Sequence, residues 1–185
     1  MVEDARLEAK EQDKELKIFF QDEARFGRID SLRRCWAPKG IRPLLKKQIV
    51  REYTYCFGAV SPSDGDSCFL VLPKLNQNWM MVMLEEMAER YPNNYLLVVC
   101  DGASAHNIEE YRLPSNVRLA SLPPYSPQLN PQENMWDDMR EKFFHNIAFN
   151  SLDAVEDRLV TACNHYEGNP AIVKSISGWD WIVSC

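Results

Sequence analysis

The chain lacks most of the features that announce a function. It has no apolar run long enough to cross a bilayer, and it opens on the charged stretch Met1-Val-Glu-Asp-Ala-Arg6 rather than on a signal peptide. Six cysteines, at 35, 56, 68, 100, 163 and 185, show no metal-knuckle or redox spacing. A disulfide framework is not expected in a chain with this much core, so reduced thiols in a cytoplasmic protein are the expectation. Histidine is scarce, and His145 and His165 are too scattered to suggest a metal cluster. Repeats and low-complexity tracts are missing. Positive charge is also in deficit: 21 Lys and Arg face 27 Asp and Glu, a net charge of −6, which sits awkwardly with binding to nucleic acid over the whole surface. What remains is 185 residues, 45% hydrophobic, enough for one domain with a full core.

The most informative stretch runs from Ser121 to Trp136, Ser-Leu-Pro-Pro-Tyr-Ser-Pro-Gln-Leu-Asn-Pro-Gln-Glu-Asn-Met-Trp. Pro123, Pro124, Pro127 and Pro131 impose an extended, turning segment. Asn130 then reads as a helix N-cap and Pro131 as the first helical residue. Glu133 falls in the first turn, beside the positive end of the helix dipole, where a carboxylate stays ionised as a hard metal ligand must. Asn-x-x-Glu also resembles a capping box, and taken alone Glu133 is first read as a capping side chain.

Two further carboxylates change that weighting. Leu16, Ile18, Phe20 and Asp22 share one face of an alternating strand, so an acid ends an apolar row. Tyr95-Leu-Leu-Val-Val-Cys100 is a continuous apolar run, as in a strand buried on both faces, and it too ends in an acid, Asp101. A carboxylate at the end of a buried strand is costly unless paired, hydrogen-bonded or bound to metal. One such aspartate is explained by a cap or turn. Two, with a helix-start glutamate, form a constellation suited to a divalent cation.

Coarse pattern reading gives α/β with a mixed sheet. Strands are expected at about 16–22, 53–60, 68–72, 95–101 and 117–120. Helices are expected at about 78–90, 104–111, from Asn130, and from a Ser151 cap. Residues 25–50 read as an irregular hairpin, residues 1–15 as a linker or helix end without a clear apolar stripe, and the tail after Pro170 as an aromatic cover. The methionines of 79–84 read as core filler. From Arg25 to Arg51 there are nine Lys and Arg against one acid, Asp30. Arg25, Arg33, Arg34, Lys39, Arg42, Lys46 and Lys47 of this block are candidates for phosphate contacts, against the plainer reading of a solvated basic hairpin.

Four segments carry a resemblance. They are Gln21-Asp-Glu-Ala-Arg-Phe-Gly27, Trp36-Ala-Pro-Lys-Gly-Ile-Arg-Pro43, Cys100-Asp-Gly-Ala-Ser-Ala-His-Asn107 and Leu122 through Trp136. In that order they resemble the catalytic domain of DDE transposases of the mariner-like superfamily, in its bacterial insertion-sequence branch. The resemblance spans most of the chain. It implies a ribonuclease H-like fold over 16–185, with a mixed central sheet flanked by helices and no N-terminal helix-turn-helix region. It implies that Asp22, Asp101 and Glu133 are the catalytic acids and hold two Mg²⁺ or Mn²⁺ ions. It also implies cleavage at transposon ends followed by strand transfer into target DNA, in a bacterial cytoplasm. His106 matches the family pattern and is an auxiliary candidate, for phosphate contact or proton transfer, or else a hydrogen-bonding histidine at a helix start. Implied partners are transposon-end and target DNA, a second copy of the chain, and a separate helix-turn-helix chain to read the ends. A non-catalytic module that binds DNA or a full-length transposase, as partner or inhibitor, is the alternative. A ribonuclease acting on RNA–DNA hybrids shares the fold, but the proline motif does not support it.

Overall fold

The computed structural model describes residues 1–29, 33–34, 36–42, 44, 48–102, 108–109, 112–124 and 126–183, without the side chains of 127, 181 and 183. A five-stranded mixed sheet forms its centre. The strands are β1 (Glu15–Ile29), β2 (Ile49–Val60), β3 (Ser67–Leu72), β4 (Asn94–Cys100) and β5 (Val117–Ser121). Their spatial order is β3-β2-β1-β4-β5. β1, β2 and β3 form an antiparallel meander, while β4 joins β1 and β5 joins β4 in parallel. Parallel neighbours require crossovers. Helix α2 (Gln77–Arg90) supplies the one between β3 and β4. The order and directions are those of a ribonuclease H-like fold.

Alternation along β1 divides the core. Phe19 joins Phe57, Ala59, Leu96 and Val98 on the face covered by α2, whose Met80, Met83, Leu84 and Met87 are fully buried. The expected role of these methionines as filler holds. On the opposite face, Leu16, Ile18 and Phe20 meet α1 (Val2–Glu11). Ala24 and Phe26 of the same row meet α3 (Gln132–Phe143) and α4 (Leu152–Glu167). Asp22 lies between these two groups, where one covering layer ends and the next begins.

Several elements differ from the sequence expectations. Residues 2–11 form a helix packed on the sheet through Ala5 and Ala9, a stripe too small to register as amphipathic. The tail contains α5 (Pro170–Ser177) and a short α6 (Asp180–Val183); Pro170 occupies the first helical turn, where its missing N–H costs nothing. Met135, Trp136, Met139, Phe143 and Ile147 read in the sequence as one apolar helical stripe, but α3 ends at Phe143 and Ile147 lies beyond it. Of the expected helix over 104–111 only Ile108 and Glu109 are described, and neither is helical; the rest lies outside the described residues.

The hairpin is longer than expected. β4 pairs with β1 only as far as Phe20, and β3 pairs with β2 only from Tyr55 onward. Residues 26–29 and 49–54 therefore project beyond both neighbours as a two-stranded ribbon. One side of it is anchored: Phe26 packs against Trp136 and Phe144, Gln48 bonds both the N–H and the carbonyl of Phe149, and Arg28 donates to the same carbonyl. The other side is open.

Candidate active site

Asp22 sits in β1 opposite Gly58 of β2, and the half-buried carboxylate accepts a 2.9 Å hydrogen bond from the indole Nε1 of Trp136 on α3. Trp136, read from the sequence as part of an apolar stripe, is thus both core residue and donor to the site. Burial pushes the Asp22 pKa up to about 7, the nearby Glu133 carboxylate adds to the rise, and the Trp136 bond opposes it. Two carboxylates, one from a strand and one from a helix start, are therefore held within reach of each other's charge. An ionised carboxylate offers about four acceptor sites, more than the Trp136 indole and the Glu23 backbone supply to Asp22. The donor set is all oxygen, which suits Mg²⁺ or Mn²⁺ better than Zn²⁺.

Glu133 is exposed, and among the described residues it makes no capping-box bond; Asn130 and Ser151 do the capping. The Oδ1 of Asn130 accepts from the Gln132 N–H at 3.1 Å, with Pro131 at φ −64° and ψ −17° beginning the turn. The expected cap is present, and it leaves Glu133 available to the site.

Asp101 follows directly on β4. The last β1–β4 pair is Phe20 with Val99, and Asp22 and Asp101 each lie two residues beyond it. Asp101 thus lies just past the end of β4, whereas Asp22 lies inside β1, which does not stop at 22 as expected but runs on to Ile29 in pairing with β2. Asp101 is exposed, however, and among the described residues no three His, Cys, Asp or Glu side chains are gathered closely enough to hold a metal ion together. The strand stops at Cys100, so ladder pairing no longer fixes the Asp101 backbone. Glu23 points to the other face, where its Oε1 accepts from Gln21, as strand alternation required.

Of the basic candidates, Arg25 is exposed at the base of the ribbon with its guanidinium 4.8 Å from the centre of the Tyr53 ring. Arg33, Arg34, Lys39 and Arg42 are exposed on the β1–β2 connection, and the Arg33 backbone N–H donates to Asn146. Lys46, Lys47 and His106 lie outside the described residues. Cys56, Cys68, Cys100 and Cys163 are buried free thiols, as expected of reduced cysteines.

Residues 17–156 match the model of the DDE superfamily endonucleases. The chain belongs to that family. It is 32% identical over 130 residues to the uncharacterized protein y4pE/y4sA of Sinorhizobium fredii, covering 70% of this chain and 96% of that one. Its fold is shared with the Mos1 transposase in a paired-end complex with the left transposon end (TM-score 0.59, 15% identity, 94% of this chain and 59% of that one). The Mos1 mariner paired-end complex with Mn gives a TM-score of 0.61 at 15% identity, covering 97% and 59%. The chain spans about six tenths of the length of these transposase chains.

Proposed function

We propose that this chain cuts and joins DNA phosphodiesters in transposition, with two Mg²⁺ or Mn²⁺ ions held by Asp22, Asp101 and Glu133. The observation that carries this reading is the Asp22–Glu133 pair, in which a carboxylate strained by burial and by its neighbour is positioned where a cation would relieve both. Asp22, Asp101 and Glu133 would hold the ions, which when bound would supply activation of the attacking oxygen and stabilisation of the leaving one. The chain's own residues supply the rest. β1 and α3 carry Asp22 and Glu133, Trp136 donates to Asp22, and the last β1–β4 pair, Phe20 with Val99, supports a place for Asp101 near Asp22. Mos1 complexes with transposon-end DNA share the fold and support DNA as the substrate. The exposed Trp36, Ile41 and Leu44 on the β1–β2 connection support a protein partner, for which we propose a second copy of the chain. A separate helix-turn-helix chain would read the transposon ends.

The exposed position of Asp101, outside an assembled cluster, favours one second reading: a non-catalytic module that binds DNA or a full-length transposase. Nicking of supercoiled plasmid separates the two. The wild-type protein should nick with Mg²⁺ or Mn²⁺ and not with EDTA, and Asp101→Asn should not nick. Equal cutting by mutant and wild type would remove the site assignment. No cutting by the wild type, on pre-nicked terminal substrates as well, would leave the non-catalytic module.

DNA approaching the carboxylates needs its flanking phosphates held, because phosphate contacts set register. Replacing Arg33, Arg34, Lys39 and Arg42 with Ser should weaken binding to all duplex sequences alike and flatten its salt dependence. Each lost phosphate contact lowers the slope by about 0.9. Exposed charge changes of this kind usually cost little stability. An unchanged slope in the folded variant would show that this connection is only a solvated surface.

A further inference from the structure

Asn130 does more than an N-cap requires. It is 4% exposed, and both polar atoms of its side chain are engaged, in opposite directions. Oδ1 accepts from the N–H of Gln132 at 3.1 Å, which is the cap. Nδ2 donates to the backbone carbonyl of Gln21 at 3.0 Å, across 109 residues of sequence. Gln21 immediately precedes Asp22, and Gln132 immediately precedes Glu133. The Glu133 N–H also donates to the Asn130 carbonyl at 3.2 Å. A single buried amide therefore ties the backbone carrying one carboxylate to the backbone carrying the other.

We propose that Asn130 is a positioning residue that sets the spacing of Asp22 and Glu133 for the divalent cation. This rests on the metal-site reading above. Capping alone would be served as well by Asp or Ser. Neither reproduces the tie to β1: Asp places an acceptor against the Gln21 carbonyl, and the Ser hydroxyl is too short to span both partners. Without the tie, the start of α3 keeps its cap but loses its fixed distance from the strand. Supporting residues of this kind typically change metal affinity about 10- to 100-fold.

The test is Mn²⁺ binding, followed through the EPR signal of free Mn²⁺, in the wild-type protein, Asn130→Ser and Asn130→Asp, with circular dichroism to verify folding. Both variants should lose about tenfold or more in Mn²⁺ affinity while keeping native helix content. The loss from Asn130→Ser should shrink or vanish in a Glu133→Gln background, because the residue acts through Glu133; a purely structural role would give independent effects. Affinity within about twofold of wild type, in whichever variant folds, overturns the proposal and leaves the metal site standing. Additive losses in the double variant overturn it as well. A wild-type protein that binds no Mn²⁺ overturns the metal-site reading itself, and this inference with it.

Discussion

Asp22→Asn is expected to stabilise the metal-free protein at pH 8.5 by roughly 2–4 kcal/mol and to leave it nearly unchanged at pH 4. The folded-state pKa of Asp22 is raised to about 7 from an ordinary value of 3.8, first by burial and then by Glu133. Between those two values the folded protein holds a proton that the unfolded chain has released. The favourable contribution of the protonated carboxyl is therefore complete below about pH 4 and is lost as pH rises through 7. A difference of this size corresponds to about 4 kcal/mol at most. Asparagine is neutral throughout and can still accept the Trp136 indole bond through its amide oxygen. Mg²⁺ should stabilise the wild-type protein at pH 8.5 and the variant little or not at all, since a ligand stabilises only the state that binds it. Urea denaturation of both proteins at pH 4 and 8.5, with and without Mg²⁺, measures all of this. The difference between the proteins isolates Asp22 from other titrating groups. If that difference is the same at both pH values, Asp22 and Glu133 are not held in mutual strain.

The parts of this site that were legible in sequence are local. The alternation of 16–22 gave the first half of β1 and its buried row, although the strand runs on past Asp22 to Ile29, the apolar run of 95–100 gave β4, and the Asn130 and Ser151 caps each receive the bond expected of them. What escaped reading depends on partners distant in sequence. The role of Trp136 requires knowing that α3 lies over Asp22, and the second bond of Asn130 requires knowing where β1 runs. The α1 helix escaped because alanines make its buried stripe, and α5 because Pro170 reads as a breaker unless the turn it opens is already known. The basic block was visible as composition only. Within it Arg28 pairs with Glu52 at 2.6 Å and Arg25 stacks on Tyr53, so part of its charge serves the ribbon itself.

Gly58 went unremarked in the sequence, yet the approach of α3 to the sheet depends on it. It pairs with Asp22 on one side and Phe69 on the other, at the centre of the antiparallel strands. A Cβ there would lie 2.5 Å from Gln132 Nε2, 2.6 Å from Trp136 Cη2 and 2.8 Å from Phe69 Cε1. Each of these side chains is buried, and two of the three belong to α3. The rings cannot withdraw without opening the core. The Gln132 amide is already buried, with neither polar atom partnered among the described residues. Replacing glycine in a strand ordinarily gains up to about 1 kcal/mol of backbone entropy, but overpacking of this kind costs about 1–3 kcal/mol, and the second effect should win. Gly58→Ala should therefore destabilise the protein by roughly 1–2 kcal/mol, and Gly58→Val by more. The loss should come with a change at the site, because the displaced helix carries Trp136 to Asp22 and holds Glu133 in its first turn. Stabilisation by Mg²⁺ should fall in Gly58→Ala even at temperatures where the variant is fully folded, whereas cavity-forming changes elsewhere in the core, such as Leu84→Ala under α2, should lower stability and leave the Mg²⁺ increment intact. Thermal unfolding of the three proteins with and without Mg²⁺ distinguishes these outcomes. A Gly58→Ala protein as stable as wild type with a full Mg²⁺ increment would mean that α3 can shift without disturbing the carboxylates, and that the close approach at Gly58 does not set the site.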